Sequence, residues 1–129
     1  MTAPSKTGRP AGALPPKRPG AAFPAPMTHK QLQQNIADLC GLYGLMEYHT
    51  FDSRKSPGGF PDHVITGART IYREVKVPPD TLKPSQERWR DALVRSGDDW
   101  GVWTPEDWHS GRIMNELKAL RSGALFYES

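Results

Sequence analysis

PDHVITGARTIYREVKV, residues 61–77, is the stretch of sequence that decides the fold. Two runs rich in β-branched and aromatic residues stand on either side of a Gly67-Ala68-Arg69 turn. Such residues favour extended chain, and glycine in a short polar segment favours a tight turn. The stretch therefore predicts a β-hairpin with strands over residues 61–66 and 70–77.

Polar side chains in the second of these strands fall on one face. Successive side chains of a strand point to opposite faces, so Tyr72, Glu74 and Lys76 share one face, and the other face carries Ile71, Arg73, Val75 and Val77. An acid and a base two residues apart are thus predicted to point the same way.

An amphipathic helix is predicted upstream of the hairpin, over residues 27–44. Thr28 followed three residues later by Gln31 is a capping-box pattern, in which two side chains satisfy free amides at a helix start. Apolar residues then recur at helical spacing, namely Leu32, Ile36, Leu39, Cys40 and Tyr43. Residues 45–51 (LMEYHTF) predict a further strand, and residues 52–59 (DSRKSPGG) predict an exposed loop.

Downstream of the hairpin, proline and glycine mark the element boundaries. Pro78-Pro79 ends the hairpin, and Pro84 begins a helix that ends at Gly97. Residues 100–103 (WGVW) predict a fourth strand, and a Thr104 cap predicts one last helix. Its inward residues are expected to be Trp108, Ile113, Met114, Leu117 and Leu120. This order predicts an α/β or α+β domain whose mixed sheet of about four strands is flanked by helices.

Residues 1–26 differ from the rest in composition. They contain seven of the thirteen prolines, four basic residues and no acid. We expect this proline-rich basic tail to be disordered, because it cannot bury enough apolar surface to offset the entropy of ordering. A folded domain is predicted over residues 27–129, where 13 basic residues face 14 acids. The folded part is therefore not basic overall, so DNA would have to bind to a local basic patch on it. The tail would act as a linker or would attract phosphate weakly.

Cys40 is the one cysteine of the chain, which excludes an intrachain disulfide and a pair of cysteine metal ligands. No apolar run approaches the roughly 20 residues that span a bilayer, and the proline-rich start lacks the apolar segment of a signal peptide. The sequence thus predicts a soluble protein of a reducing, cytoplasmic compartment, without a membrane partner.

Asp62 and Glu74 are candidate metal ligands. Asp62 stands at the edge of one predicted strand and Glu74 on its neighbour, so both can meet at one ion, and the carbonyl of Val75 can add a third oxygen. Mg²⁺ prefers oxygen ligands and can neutralise a phosphate and position a water for phosphodiester hydrolysis. Lys76 can hold that water or stabilise the negative charge that develops. The alternative is that Glu74 and Lys76 belong to a solvated strand face and that Asp62 is a turn residue after proline.

The segments around this triplet resemble a known nuclease signature. GFPD at residues 59–62, then eleven residues, then EVK at residues 74–76 is similar to the PD-(D/E)xK motif of nucleases. Three further segments resemble the VRR-NUC branch of that superfamily: residues 54–56 (RKS), 82–86 (LKPSQ) and 100–103 (WGVW). The resemblance covers residues 28–113 and implies a restriction-endonuclease-like core.

The activity implied by the resemblance is that of a Mg²⁺- or Mn²⁺-dependent endonuclease that hydrolyses DNA, with branched or flapped DNA as candidate substrates. Members of the VRR-NUC branch are often encoded by phages or bacteria, and small relatives tend to act as dimers. The resemblance therefore also implies the cytoplasm of a bacterial host and a homodimer.

By the same resemblance, Asp62 and Glu74 bind the metal, Lys76 is catalytic and Gln86 supports the site from the following helix. His29 stands where family members commonly have a glutamate that completes the metal shell. Imidazole is a softer ligand, which favours Mn²⁺ or other transition metals over Mg²⁺. Two alternatives stay open: His29 is a surface residue near a helix start, or the chain is a non-catalytic DNA-binding module with a degenerate nuclease fold.

DNA contacts are predicted on or beside the loop that leads into Asp62, where basic and polar side chains would position phosphates without reading base sequence. The candidates are His49, Arg54, Lys55 and Ser56. The alternative is a charged loop with no such role. A zinc site of His49 with His63 is not predicted, because no second ligand pair stands at a zinc-like spacing. For the four tryptophans, packing is favoured over base stacking.

Overall fold

The computed structural model of the chain describes residues 26–50 and 58–128, and residues 122–128 by their backbone alone. Four strands form one sheet: β1 (Met46–His49), β2 (His63–Thr66), β3 (Thr70–Val75) and β4 (Asp99–Trp103). The helices are α1 (His29–Leu42), α2 (Pro84–Arg95), α3 (Pro105–His109) and α4 (Arg112–Glu128). The predicted tail lies outside the described residues except for Pro26.

The sheet has the order β1-β2-β3-β4 and is mixed. The β1–β2 and β2–β3 pairs are antiparallel, whereas β4 returns parallel to β3 after α2. In the hairpin, Ile65 lies opposite Ile71 and Thr66 opposite Thr70. The prediction of a mixed four-stranded sheet flanked by helices is thereby confirmed.

The apolar core lies between one face of the sheet and helices α1 and α4. At the start of α1 the Thr28 hydroxyl accepts a hydrogen bond from the Gln31 amide at 3.0 Å, and Gln31 Oε1 accepts one from the Thr28 amide at 2.9 Å. The buried residues of the core are Leu32, Ile36, Cys40, Leu45, Ile65, Ile71, Val75, Trp103, Ile113, Leu117 and Leu120. Each fully buried aliphatic side chain of this kind stabilises a fold by about 1.5–3 kcal/mol.

Phe60, just before Asp62, packs between α2 and β3. Its ring meets Trp89 edge-on at a centroid distance of 4.9 Å and Tyr72 at 6.3 Å. Gly59 lies so close to α2 that a Cβ atom there would come within 2.4 Å of the Ser85 carbonyl oxygen, and its φ is +94°. Glycine is therefore required at this position, and the segment before Asp62 is fixed against α2.

The last helical stretch differs from the prediction. A single helix from Thr104 was wrong, because α3 ends at His109 and α4 begins at Arg112. Between them Gly111 has a φ of +88°, a left-handed conformation that ends a helix and suits glycine. Met114, expected to face inward, is 38% exposed.

Arg73 is buried on the core face of β3. Its guanidinium contacts Glu116 at 3.0 Å and the Asp99 carboxylate at 2.9 Å, and Trp103 Nε1 donates to the same Glu116 oxygen at 3.0 Å. The charge of Arg73 is thus compensated by two acids. None of the helices in the described part of the chain is long and apolar enough to cross a membrane.

Candidate metal centre and active site

The predicted triplet lies in a cleft of about 380 Å³. The cleft is formed where α1 begins, β2 begins, β3 ends and α2 begins, and its lining includes His29, Asp62, Glu74, Lys76 and Gln86. Strand pairing alone explains the meeting of Asp62 with Glu74, since β2 and β3 are neighbours. Two further helices contribute His29 and Gln86 from distant parts of the chain.

Asp62 is held by backbone and side-chain contacts. Its Oδ2 atom accepts a hydrogen bond from the Val75 amide at 2.8 Å and lies 3.3 Å from His29 Nε2. Burial alone would raise the pKa of Asp62, but the hydrogen bond with His29 and that from the Val75 amide hold it below its ordinary value. Asp62 is therefore an ionised carboxylate at neutral pH.

His29, the first residue of α1, points its Nε2 atom into the same place. Nε2 lies 3.1 Å from the Val75 carbonyl oxygen in addition to its approach to Asp62. The hydrogen bond with Asp62 raises the pKa of His29 against the opposing effect of burial. The imidazole thus stands between two oxygens that the sequence assigned to a metal, where it can ligate a cation or, once protonated, take its place.

Glu74 is buried with one oxygen unsatisfied. It is 3% exposed, and its Oε2 accepts a hydrogen bond from Gln86 Nε2 at 2.9 Å and lies 3.7 Å from Lys76 Nζ. Among the described residues, Oε1 has no hydrogen-bond partner. Burial, and then the negative charge of Asp62, raise the pKa of Glu74 to about 8, although Lys76 opposes the rise. This carboxyl group requires either a proton or a nearby cation.

Lys76 and Gln86 complete the cleft. Lys76 is 9% exposed, and its amide extends the β3–β4 pairing by donating to the Trp103 carbonyl at 3.0 Å. Gln86 uses both ends of its amide, since its Oε1 accepts from the Lys83 amide at 2.8 Å while its Nε2 donates to Glu74. Gln86 therefore fixes the orientation of Glu74 relative to the start of α2.

Of the residues predicted to contact DNA, His49 is the one that the structure describes. Arg54, Lys55 and Ser56 lie outside the described residues. His49 ends β1 with a side chain that is only 12% exposed, and its Nδ1 lies 2.8 Å from a Glu47 oxygen. Its contact with DNA stays a prediction.

Sequence reasoning missed two cleft residues at the start of α2, Lys83 and Ser85. No sequence pattern indicates this, because Ser85 approaches the segment that carries Asp62 only in the folded chain, through its contact with Gly59. Lys83 adds an exposed basic side chain to the lining of the cleft.

The donor set fits a divalent cation. The carboxylates of Asp62 and Glu74 and the imidazole of His29 line the cleft, and the Val75 carbonyl oxygen lies 3.1 Å from that imidazole. The Glu74 oxygen that has no partner among the described residues is the type of atom that a cation would satisfy. Hard oxygen donors suit Mg²⁺, and the imidazole of His29 shifts the preference toward Mn²⁺. Comparison of the chain with protein-family models, curated proteins and solved structures found no match.

Proposed function

We propose that this chain is a Mg²⁺- or Mn²⁺-dependent nuclease that hydrolyses phosphodiester bonds in DNA. The observation that supports the proposal most is the meeting of the buried Glu74 and the partly buried Asp62 beside a lysine in one cleft, where an oxygen of Glu74 has no donor among the described residues. The similarity of residues 59–76 to the PD-(D/E)xK motif of the VRR-NUC branch is consistent with it. A restriction-endonuclease-like core and action on branched or flapped DNA are part of the same proposal.

Asp62, Glu74 and the Val75 carbonyl would hold the cation, with His29 as a further ligand. When bound, the cation would supply charge for a phosphate oxygen and lower the pKa of a bound water. Gln86 keeps Glu74 turned toward the cleft through its 2.9 Å hydrogen bond. Val75 keeps Asp62 in place through its amide at 2.8 Å.

Lys76 is the proposed catalytic ammonium. Its Nζ lies 3.7 Å from Glu74 Oε2 on a largely buried side chain, so its position is set by the strand and by that carboxylate. A donor fixed in a water-poor site stabilises developing negative charge more strongly than one in bulk water. Lys76 would hold the attacking water or the phosphate oxygen on which charge accumulates.

DNA would approach the mouth of the cleft, where Lys83 is exposed. The predicted phosphate contacts of Arg54, Lys55 and Ser56 and the basic tail would add attraction that salt weakens. A homodimer, in the cytoplasm of a bacterial host, is proposed on the same resemblance, since one small domain offers limited surface to a branched duplex.

Cleavage of linear, single-stranded, flapped and four-way DNA in Mg²⁺ or Mn²⁺ tests the proposal. We expect Asp62→Asn and Lys76→Met to lose at least about a hundredfold in rate. Asp38→Asn and Lys118→Met change the same residue types at exposed positions and should keep wild-type rates. Folded wild-type protein that cleaves none of these substrates with either metal would overturn the proposal.

A second candidate is a DNA-binding module without catalysis. The observation that favours it is that His29 Nε2 already lies near both Asp62 and the Val75 carbonyl, so these oxygens have a partner without a cation. This candidate predicts that Mn²⁺ does not bind wild type in calorimetry. It also predicts that Asp62→Asn retains or tightens salt-dependent DNA binding, because an acid that repels phosphate has been removed.

A further inference from the structure

A second group of metal-ligating side chains lies on β1 and β2, apart from the cleft. Glu47 and His49 are two residues apart on β1 and so share a face. His63 is the register partner of His49, and Ile65 is the partner of Glu47. Antiparallel pairing therefore brings one carboxylate and two imidazoles to the same face of the strand pair.

The three ligand atoms converge closely. Glu47 Oε2 lies 2.8 Å from His49 Nδ1 and 2.7 Å from His63 Nδ1, and one ligand atom from each residue falls within 4.8 Å of the other two. The side chains of Glu47, His49 and His63 are 9%, 12% and 0% exposed. A buried carboxylate with an imidazole nitrogen on either side is a ligand set that transition metals use in proteins.

We propose that Glu47, His49 and His63 form a binding site for a zinc-class transition-metal ion. The ion would take Nδ1 of each imidazole and an oxygen of Glu47, so any proton on either Nδ1 would have to leave. Three protein ligands of this kind suit the tetrahedral preference of Zn²⁺, with a water as the fourth ligand. Two nitrogen donors out of three make Mg²⁺ a poor occupant.

The orientation of His63 supports this assignment. Its side chain is fully buried, and within the described part of the chain its Nε2 has no hydrogen-bond partner. The polar contact on the Nδ1 side, toward Glu47, is therefore the one that orients the ring. A metal bound at Nδ1 would hold this imidazole more firmly than one hydrogen bond.

The proposed zinc-class site is separate from the cleft. His63 directly follows Asp62 in the sequence, yet Asp62 lines the cleft whereas His63 is fully buried. Exposure of 12% or less at all three ligands keeps a DNA substrate away from the ion. The ion would therefore act structurally, joining β1 to β2 beside the point where the chain delivers Asp62. This inference does not rest on nuclease activity.

The test is Zn²⁺ binding by the untagged full chain that carries Asp62→Asn and Glu74→Gln, which removes the two carboxylates proposed to bind a cation in the cleft. Equilibrium dialysis followed by metal analysis should give one Zn²⁺ per chain. Adding His49→Gln or Glu47→Gln should weaken binding at least about tenfold. His109→Gln removes an exposed imidazole and serves as the matched control, with binding unchanged.

Thermal unfolding gives a second readout. Zn²⁺ should raise the Tm of the Asp62→Asn/Glu74→Gln protein and of its His109→Gln derivative, because an ion that binds the folded state stabilises it. The Tm of the His49→Gln derivative should not respond. Circular dichroism of each variant establishes that it is folded, and if His49→Gln fails this check, Glu47→Gln takes its place. A folded Asp62→Asn/Glu74→Gln protein that binds no Zn²⁺, or unchanged affinity after Glu47→Gln, would overturn the proposal.

Discussion

The Nε2 atom of His29 lies 3.3 Å from the Oδ2 atom of Asp62. The first residue of α1 and the residue before β2, which are 33 positions apart in the sequence, thus interact electrostatically in the cleft. The same imidazole nitrogen lies 3.1 Å from the Val75 carbonyl oxygen. Any cation that uses these two oxygens must displace a proton from His29 or gain the imidazole as a ligand.

Binding of Mn²⁺ to the cleft should therefore weaken as the pH falls. The hydrogen bond with Asp62 raises the pKa of His29, and below that pKa each displaced proton changes the Kd by about tenfold per pH unit. We expect His29→Gln to reduce the pH slope by about one proton. Calorimetric titration with Mn²⁺ over about pH 6 to 8 measures the slope. Equal slopes in wild type and His29→Gln would contradict the competition.

Glu74→Gln should change how stability depends on pH in the absence of metal. The pKa of Glu74 is raised from 4.5 to about 8 by burial and then by Asp62. The folded state thus keeps a proton that the unfolded state releases above pH 4.5, so stability is full below that pH and is lost as the pH rises toward 8. Urea unfolding with a chelator should show this loss in wild type.

The Glu74→Gln protein should lack that loss and exceed wild type near pH 8 by on the order of a few kcal/mol. Glu87→Gln, an exposed change on α2, is the control and should follow wild type. A wild-type stability that does not fall between pH 5 and 8 would show that Glu74 ionises normally in the folded protein.

Gln86→Ala should weaken Mn²⁺ binding at the proposed site without removing a proposed ligand. Its amide nitrogen holds Glu74 Oε2 at 2.9 Å, and loss of a residue that orients a ligand typically costs 10- to 100-fold in metal affinity. Calorimetric titration with Mn²⁺ measures the effect. Gln34→Ala, an exposed change on α1, should leave the affinity unchanged. Wild-type affinity in Gln86→Ala would mean that Glu74 is oriented by other contacts.

Gly59→Ala and Gly58→Ala form a matched pair. At Gly59 a Cβ would come within 2.4 Å of the Ser85 carbonyl oxygen and φ is +94°, whereas at Gly58 the nearest atom is Ser85 Oγ at 3.9 Å. We expect Gly59→Ala to cost about 1–3 kcal/mol of unfolding free energy and to displace Asp62. Gly58→Ala should cost under about 0.5 kcal/mol. Chemical denaturation measures the stability of both variants. Similar stabilities would show that Gly59 does not lie this close to the Ser85 carbonyl oxygen.

Arg73→Ala should be strongly destabilising. The side chain is 6% exposed and contacts both Asp99 and Glu116, so its loss leaves acids without their partner. The expected cost is about 3 kcal/mol. Arg90→Ala breaks an ion pair with Asp91 whose side chains are 35% and 57% exposed, so it should cost under about 1 kcal/mol. Urea unfolding should separate the two variants clearly.

Much of the local structure could be predicted from the sequence. The Thr28 cap, the hairpin and the shared face of Glu74 and Lys76 follow from short-range rules, because neighbouring residues determine helix starts, turns and strand alternation. The break before α4 depended on the left-handed conformation of Gly111, which a Ser-Gly pair does not fix by itself. The predicted single helix failed for that reason.

Contacts between segments that are distant in the sequence could not be predicted from these short-range rules. The imidazole of His29 reaches Val75 across 46 positions, and Glu47 meets His63 across 16. Both contacts depend on which strands pair, in which register, and on the height at which α1 begins above the sheet. Ligand spacing along the chain does not predict a site of His49 with His63, because these two residues meet through the strand register and not through their separation in sequence.

The arrangement of the cleft has a consequence for folding kinetics. Asp62 and Val75 are 13 positions apart and join when the hairpin closes, but the contact of His29 with Val75 closes a loop of 46. Longer loops lose more chain entropy on closure, so contacts of this kind form late. During refolding, the hairpin part of the proposed cation site should form before His29 reaches it, so any Mn²⁺ affinity of the cleft should recover after the hairpin has closed.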